Sequence, residues 1–562
     1  MEQIIECVPN FSEGRNPDII KQITDEIESV EGVQLLNVDP GKATNRTVVT
    51  FVGNPKAVID AAFLAIKKAG ELIDMSKHKG EHPRMGATDV CPLIPIAGIT
   101  MEETAVYAQQ LAERCGKEIK LPIYLYEAAQ KNKERSNLSV IRAGEYEGFF
   151  KKIKLAEWKP DFGPAEFDAK RGATVIGARD FLVAYNINLN TTSTRRANSI
   201  AFDVREAGRV MREGNPITGK VITDADGSPK SIPGTLKAVK AIGWYIEEYG
   251  ICQISMNLTN INITSVHQAF DEVCAKASER GIRVTGSELV GLIPLKSLLD
   301  AGKFFLRKQK RSLGVSEKEL IKIAVKSLGL DELSPFIPEE RIIEYKLRKP
   351  TDSKLINMRL NDFADETASE SMAPGGGSIS AYMGTLGISL AAMVANLSSH
   401  KKGWDDRWEE FSVYAEKAQQ IKDELIKLVD ADTAAFNKII AAFALPKSND
   451  EEKAIRTQAV QDATKIAIDV PYRVMELSFE SLSVIKAMVE NGNPSSITDA
   501  GVGALCARSA VIGSFMNVRV NATGFNDKKY IENLIAKGNE MQEKAISTEK
   551  EIIEKVKERL GL

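Results

Sequence analysis

The chain has 562 residues, 43% of them hydrophobic and 27% charged, with a formal net charge of −3. That length is too great for one hydrophobic core and calls for two to four domains, in the composition range of ordinary soluble globular proteins. The near-neutral charge excludes any overall pull toward nucleic acid or an anionic membrane surface.

The first residues, Met1-Glu2-Gln3-Ile4-Ile5-Glu6, lack the basic and long apolar regions of a secretory signal. Six cysteines are scattered without a Cys-x-x-Cys pair, mostly in apolar runs, so free thiols in a reducing compartment, the cytoplasm, are expected. Ile4–Pro9, Gln34–Asp39 and Arg46–Val52 read as strands, and Asn54–Glu71 and Met101–Cys115 as amphipathic helices. Between those helices, residues 77 to 89 spell Lys-His-Lys-Gly-Glu-His-Pro-Arg-Met-Gly-Ala-Thr-Asp. Glycine and proline break helices, so this is predicted to be a loop, running into a buried strand at Val90–Ile96. It holds His78 and His82, two of the four histidines in the chain. Four-residue spacing suits a zinc pair on a helix, but Gly80 and Pro83 argue against that helix, and no metal is expected. The pattern leaves open a structural loop or a proton-transfer site.

Leu121–Leu125 reads as a further strand. Pro160, Gly163, Pro164 and Gly172 then mark a break. A second α/β round follows, with strands at Phe181–Leu189, Ile251–Leu258 and Ile261–Thr264 and helices at Thr194–Met211 and His267–Gly281. Leu328–Lys354, with three prolines and many charges, reads as a tail and linker. Beyond Leu355 helical periodicity dominates, in Ser378–Leu397, Trp408–Phe443, Glu452–Val489, Asp499–Met516 and Asp527–Leu560. The expected fold is therefore multidomain: an N-terminal α/β half of two packed α/β subdomains (1–180 and 181–327), a linker (328–354) and a C-terminal all-α helical bundle (355–562).

Ser378–Leu397 is free of charge over roughly 20 residues, about the length of a membrane span. Its small residues suit close helix packing equally well, and no second such segment is apparent, so a bundle helix and no membrane contact are expected. Ala373-Pro374-Gly375-Gly376-Gly377-Ser378 precedes it. A glycine loop at a helix start presents free N–H groups to an anion, or simply makes a tight turn between helices. Leu425, Leu428, Val429, Asp432, Ala435, Phe436, Ile439 and Phe443 form one helical stripe, apolar except for Asp432. A carboxylate facing a core has a raised pKa and is an acid–base candidate, or else a buried group satisfied by neighbouring helices. Asp430 lies off the stripe and is expected to be solvated.

Three motifs carry a resemblance: Glu6-Cys7-Val8-Pro9-Asn10-Phe11-Ser12-Glu13-Gly14, the His82 loop, and Phe162-Gly163-Pro164-Ala165 leading to Gly172-Ala173-Thr174-Val175-Ile176-Gly177-Ala178-Arg179. They resemble the formiminotransferase domain, and the C-terminal half resembles the cyclodeaminase domain. In that order the chain is similar to the bifunctional formimidoyltransferase-cyclodeaminase family over nearly its full length. The resemblance implies transfer of a formimino group from N-formimino-L-glutamate to N5 of tetrahydrofolate, then ring closure to 5,10-methenyltetrahydrofolate with loss of ammonia. Tetrahydrofolate, in some cases polyglutamylated, would be a co-substrate, with no tightly bound cofactor, no nucleic-acid partner and a homo-oligomeric assembly. The pathway context would be histidine breakdown and one-carbon metabolism.

The resemblance also points to residues. His82 matches the family's catalytic histidine, and His78 the weaker flanking position. Asp39 would orient that imidazole, unless it only forms a turn before Pro40. Arg84, Lys77 and Lys79 are available cations for substrate carboxylates. Gly163, Pro164 and Gly172 bound the folate-binding segment, where glycine admits a flat pterin closely. Asp432 lies in the family's Asp–Ala-Phe and Leu445-Pro446-Lys447 motif, and Gly375, Gly376 and Gly377 would hold a folate carboxylate. Asn491–Asp499 also matches, but Ser496 and Asp499 have capping-box spacing that explains them without chemistry. Two alternatives stay open: a methenyltetrahydrofolate cyclohydrolase in the all-α half, and a non-catalytic folate-binding assembly protein.

Overall fold

A computed structural model describes residues 3–42, 44–80, 82–214, 219–225, 227–347 and 354–562. The chain divides into two compact units, one holding residues 1–301 and 324–347, the other 302–323 and 348–562.

The first unit opens with β1 (Ile4–Cys7), β2 (Asn10–Phe11), α1 (Pro17–Glu28), β3 (Val33–Gly41), β4 (Arg46–Gly53), α2 (Pro55–Leu72), β5 (Thr88–Ala97), α3 (Met101–Glu118) and β6 (Ile123–Glu127). Two short helices, α4 (Leu138–Arg142) and α5 (Glu145–Lys152), precede β7 (Thr174–Ala178). Local signals set the helix starts. Asn16 and Asn54 accept backbone N–H bonds ahead of Pro17 and Pro55, and Thr100 and Glu103 close a capping box on α3. The seven strands form one mixed sheet in the order β3, β4, β1 and β2 end to end, β5, β7, β6. Only the β5–β7 and β7–β6 pairs are parallel.

One face of this sheet packs on α1 to α3, burying Ile5, Cys7, Phe51, Leu93 and Ile176 against Ile23, Ala61 and Leu111. Strand alternation sends Glu6, Asn10 and Val90 to the other face. There Met85, Val90, Tyr124 and Val175 pack on Ile141 and Phe149, and a smaller cluster joins Leu36, Val52, Leu292 and Ile343. Glu6 is buried on this face, and burial, opposed by the charge of Arg179, pushes its carboxyl up to about 7.

The same unit continues with β8 (Val183–Leu189), α6 (Thr194–Val204), β9 (Arg209–Val210), β10 (Ser231–Ile232), β11 (Val239–Ile246), β12 (Ile251–Leu258), α7 (Val266–Ser278) and β13 (Val284–Val290). A four-stranded antiparallel sheet, β11-β12-β8-β13, results. The strand expected at Ile261–Thr264 is a turn instead. Asn260 accepts from the backbone of Asn262 through its side chain and from Ile263 and Thr264 through its carbonyl, a local bonding that competes with a ladder. The helix expected to reach Met211 ends at Val204, where the chain turns into β9.

Helices α8 (Leu295–Lys308) and α9 (Glu317–Leu328) follow, then the one-turn α10 (Pro338–Arg341) and α11 (Ile343–Leu347). The expected linker thus holds short helices, and its residues 348–353 lie outside the described residues. Residues 302–323 belong to the helical unit, where Leu313 N–H donates to Ser412 (2.9 Å) and Asn396 to the Gly314 carbonyl (2.9 Å).

The second unit is helical: α12 (Leu360–Thr367), α13 (Gly376–Ser399), α14 (Trp408–Ala444), α15 (Asp450–Asn491), α16 (Ile497–Ala522) and α17 (Lys528–Leu560). Its core runs through small residues of α13 and α16, such as Ala381, Ala391, Ala504 and Ala507, against Leu425, Met475 and Ile485. Contrary to expectation, a second helical stretch, Pro494–Ala522, joins α13 in being long and apolar enough to cross a membrane by length and composition. The two pack on each other within the bundle. Ser496 caps α16 by position, but its side chain makes no cap bond, so the expected capping box is absent.

Candidate active sites

The His82 loop is pinned at several points. Met75 N–H donates to Lys170 O (2.9 Å), Ala87 N–H to Arg171 O (2.8 Å), Ala173 N–H to Met85 O (3.2 Å), and Tyr146 N–H to Arg84 O (2.8 Å). Gly86 bridges directly to Gly172. Gly172 has φ +68°, and a Cβ there would lie 2.1 Å from Met85 O. Gly163 (φ +83°) approaches Leu121 O just as closely. The C-terminal end of the 163–172 segment, Lys170 to Gly172, therefore lies against the loop that carries the histidines, while its Gly163 end, followed by half-buried Pro164, packs on Leu121.

The two imidazoles differ in what they bond. His78 uses both ring nitrogens: Nε2–H donates to Asn45 O (2.8 Å), and Nδ1 accepts from Arg84 Nε (3.2 Å). His82 uses one. Its Nδ1 lies 2.7 Å from Pro83 O. A carbonyl only accepts, so Nδ1 carries the proton and Nε2 keeps its lone pair. Burial, together with the charges of Arg46 and Arg142, pushes the His82 pKa down to about 3, against an opposing effect of Asp89. The ring is neutral at physiological pH, with a lone pair on Nε2 that is less basic than an ordinary imidazole's.

Asp89 is fully buried and takes both arginines on one oxygen, Arg142 at 2.6 Å and Arg46 in shorter contact, while its other oxygen accepts from Met85 N–H (2.9 Å). Burial alone would raise the Asp89 carboxyl, but Arg142 and Arg46 hold it below the ordinary range. Arg46 also donates to Asn10 (3.0 Å).

The other residues singled out in this half take different positions. Asp39 sits on β3, where its carboxylate accepts from Gly291 N–H (2.9 Å); among the described residues it makes no hydrogen bond to His82. The carboxylate acting on that ring is Asp89. The Arg84 guanidinium is buried and engaged by Glu147 (2.6 Å), Glu145 (3.2 Å) and His78. Lys77 is exposed and pairs with Asp74 (3.1 Å). A hollow of about 510 Å³ opens beside the loop, lined by Lys79, Gly80, Arg84, Gly144, Glu145 and Glu147. Sequence reasoning missed Arg46, Asp89 and Arg142. Asp89 ended the recognised loop, a usable signal. Arg142 reaches it from 53 residues away on the one-turn α4, and no local pattern announces that.

In the helical unit Gly375 caps α13, and Gly376 and Gly377 form its first turn. Asp432, on α14, points at this turn. A Cβ on Gly377 would lie 2.2 Å from Asp432 Oδ1, so only glycine leaves room for the carboxylate. Ser378 Oγ–H lies 3.1 Å from Asp432 Oδ2 and 2.8 Å from Val429 O. Burial raises the Asp432 pKa, opposed by the Ser378 bonds. The expected apolar stripe is buried only in part: Leu425 and Val429 are in the core, whereas Phe436 and Phe443 are 40% and 55% exposed. Asp432 thus stands where α14 leaves the core. Asp430, expected to be solvated, accepts from Leu355 N–H (2.7 Å) and Ile356 N–H (3.2 Å) and fastens the start of the unit.

Three family models match the chain in order: the N-terminal subdomain of the formiminotransferase domain over residues 4–179, the formiminotransferase domain over 184–348, and formiminotransferase-cyclodeaminase over 359–540. The chain is 42% identical to formimidoyltransferase-cyclodeaminase of Gallus gallus, over 94% of each chain. It is 39% identical to glutamate formimidoyltransferase of Streptococcus pyogenes, over 55% of this chain and 94% of that protein. Methenyltetrahydrofolate cyclohydrolase of Methylorubrum extorquens is 33% identical over 34% of this chain and 97% of its own length.

Proposed function

The chain belongs to the formimidoyltransferase-cyclodeaminase family, and we infer that it carries out two reactions in sequence, the first at His82 and the second at Asp432. It transfers the formimino group of N-formimino-L-glutamate to N5 of tetrahydrofolate, releasing L-glutamate. It then closes 5-formiminotetrahydrofolate to 5,10-methenyltetrahydrofolate, releasing ammonia. The observation that carries the first assignment is the neutral imidazole of His82, whose Nε2 has no partner among the described residues, in a loop that Gly86 joins to Gly172.

In the transfer, N5 attacks the formimino carbon and gives its proton to His82 Nε2. The tetrahedral carbon then expels the glutamate nitrogen, which takes that proton back. A base that is neutral before each turnover is ready to begin it. In the cyclisation, folate N10 attacks the same carbon, the C–N bond to the formimino nitrogen breaks, and ammonia leaves with a proton. Asp432, with its raised pKa at the start of α13, supports the role of proton donor. Gly375, Gly376 and Gly377 present the free N–H groups of that helix start to a folate carboxylate. Each step moves only protons and C–N bonds, so tetrahydrofolate acts as co-substrate without a tightly bound cofactor. We further propose a cytoplasmic homo-oligomer serving histidine breakdown and the one-carbon pool; six scattered cysteines without a Cys-x-x-Cys pair suit a reducing compartment.

The similarity to methenyltetrahydrofolate cyclohydrolase favours a second reading of the helical unit, in which it hydrolyses the methenyl product. The two readings part on ammonia. His82→Asn is expected to lower transfer by about 100- to 10,000-fold while leaving cyclisation of supplied 5-formiminotetrahydrofolate intact. Asp432→Asn is expected to do the reverse. Transfer that survives His82→Asn, or normal ammonia release by Asp432→Asn, overturns the corresponding assignment.

A further inference from the structure

Beside His82, two guanidiniums meet one carboxylate. Asp89 is saturated by Arg46, Arg142 and the Met85 N–H. Arg46 spends its Nε on Asn10. Arg142 is bound to Asp89 through Nη2 only, and its buried Nε has no hydrogen-bond partner among the described residues. The side chains are 8% and 14% exposed, so this surplus positive charge is shielded from water. A buried cation without its anion is costly, and a buried donor without an acceptor costs more. Arginine offers a planar fork that matches a carboxylate.

Resting on the reading of His82 as the transfer base, we propose that Arg142, backed by Arg46, binds the α-carboxylate of formiminoglutamate and so sets the leaving nitrogen against His82. The chemistry selects that carboxylate. Its carbon is two bonds from the nitrogen that must be reprotonated, whereas the glutamate carboxylates of tetrahydrofolate lie beyond the aminobenzoyl ring, far from N5. Among the described residues Asp89 is the one carboxylate paired with both guanidiniums, which leaves one charge over for the substrate.

The test uses the full chain with four substrates: N-formimino-L-glutamate, its α-carboxamide, tetrahydrofolate, and tetrahydropteroate, which lacks the glutamate. Wild type is expected to lose about 10- to 100-fold in kcat/KM on the carboxamide, mainly through KM. Arg142→Gln is expected to lose as much on the acid and little further on the carboxamide, and Arg142→Lys to fall between, since it keeps the charge but not the fork. Asp89 keeps Arg46 in these variants, and a thermal melt reports whether they fold. Equal wild-type rates on acid and carboxamide overturn the proposal whatever the variants do. So does an Arg142→Gln loss of the same size on both. Discrimination by Arg142 between tetrahydrofolate and tetrahydropteroate instead would move the carboxylate to folate. Transfer surviving His82→Asn would refute the base assignment separately.

Discussion

His78 and His82 are equivalent in a sequence pattern, and their surroundings make them different groups. His78 has spent both nitrogens on Asn45 and Arg84, whereas His82 has spent one on its neighbour's carbonyl. A pKa near 3 for His82 has two consequences. The acid limb of kcat/KM for transfer should show no inflection near 6.5, the ordinary histidine value, when measured between pH 8 and pH 5; an inflection there, absent in no-His82 controls, would mean the ring titrates normally. The stability effect has a definite sign. Between about 3 and 6.5 the unfolded histidine binds a proton and the folded one does not, so its contribution to stability is lost as pH falls through that window. His82→Asn should therefore flatten the acid side of the Tm–pH curve, and an unchanged curve would contradict the depressed pKa. The rare-residue count and the family motif made His82 legible in the sequence. Arg46, Asp89 and Arg142 were not legible as a set, because a strand start, a loop end and a one-turn helix become neighbours only through the sheet.

At the level of elements, two glycines separate stability from chemistry. At Gly172 an added Cβ meets a backbone carbonyl and the backbone is left-handed. Gly172→Ala should cost about 1–3 kcal/mol from strain alone and abolish transfer by displacing the His82 loop, as read by urea melts and transfer rates. At Gly377 the added Cβ meets the side-chain carboxylate of Asp432 instead of backbone. Gly377→Ala should leave the melt nearly unchanged while ammonia release falls; full ammonia release would show that the Asp432 position is unimportant. The long helices of the second unit were legible because period 3.6 persists over many turns, as in α14 and α15. Strands β11 and β13 escaped notice: β11 is the first arm of a hairpin with β12, and β13 pairs with β8, far back in the chain. The Asp432 stripe was legible as a pattern but not in its burial: Phe436 and Phe443 are exposed while Ala435 and Ala442 on the same helix are buried, a difference that period alone does not reveal.

On the scale of the whole molecule, the order of an α/β half and an all-α half was visible in the change of period near Leu355. The place of residues 302–323 in the helical unit was not, since α8 and α9 carry the same amphipathic pattern whichever core they serve. In the proposed function one chain performs transfer and cyclisation in succession. The most direct measurement supplies the purified protein with formiminoglutamate and tetrahydrofolate, with and without a chelator, and follows glutamate, ammonia and 5,10-methenyltetrahydrofolate together. One of each per turnover, insensitive to the chelator, with Asp432→Asn stopping at 5-formiminotetrahydrofolate, is the predicted result. Glutamate release with no ammonia from the wild type, or methenyltetrahydrofolate consumed rather than formed, would contradict it.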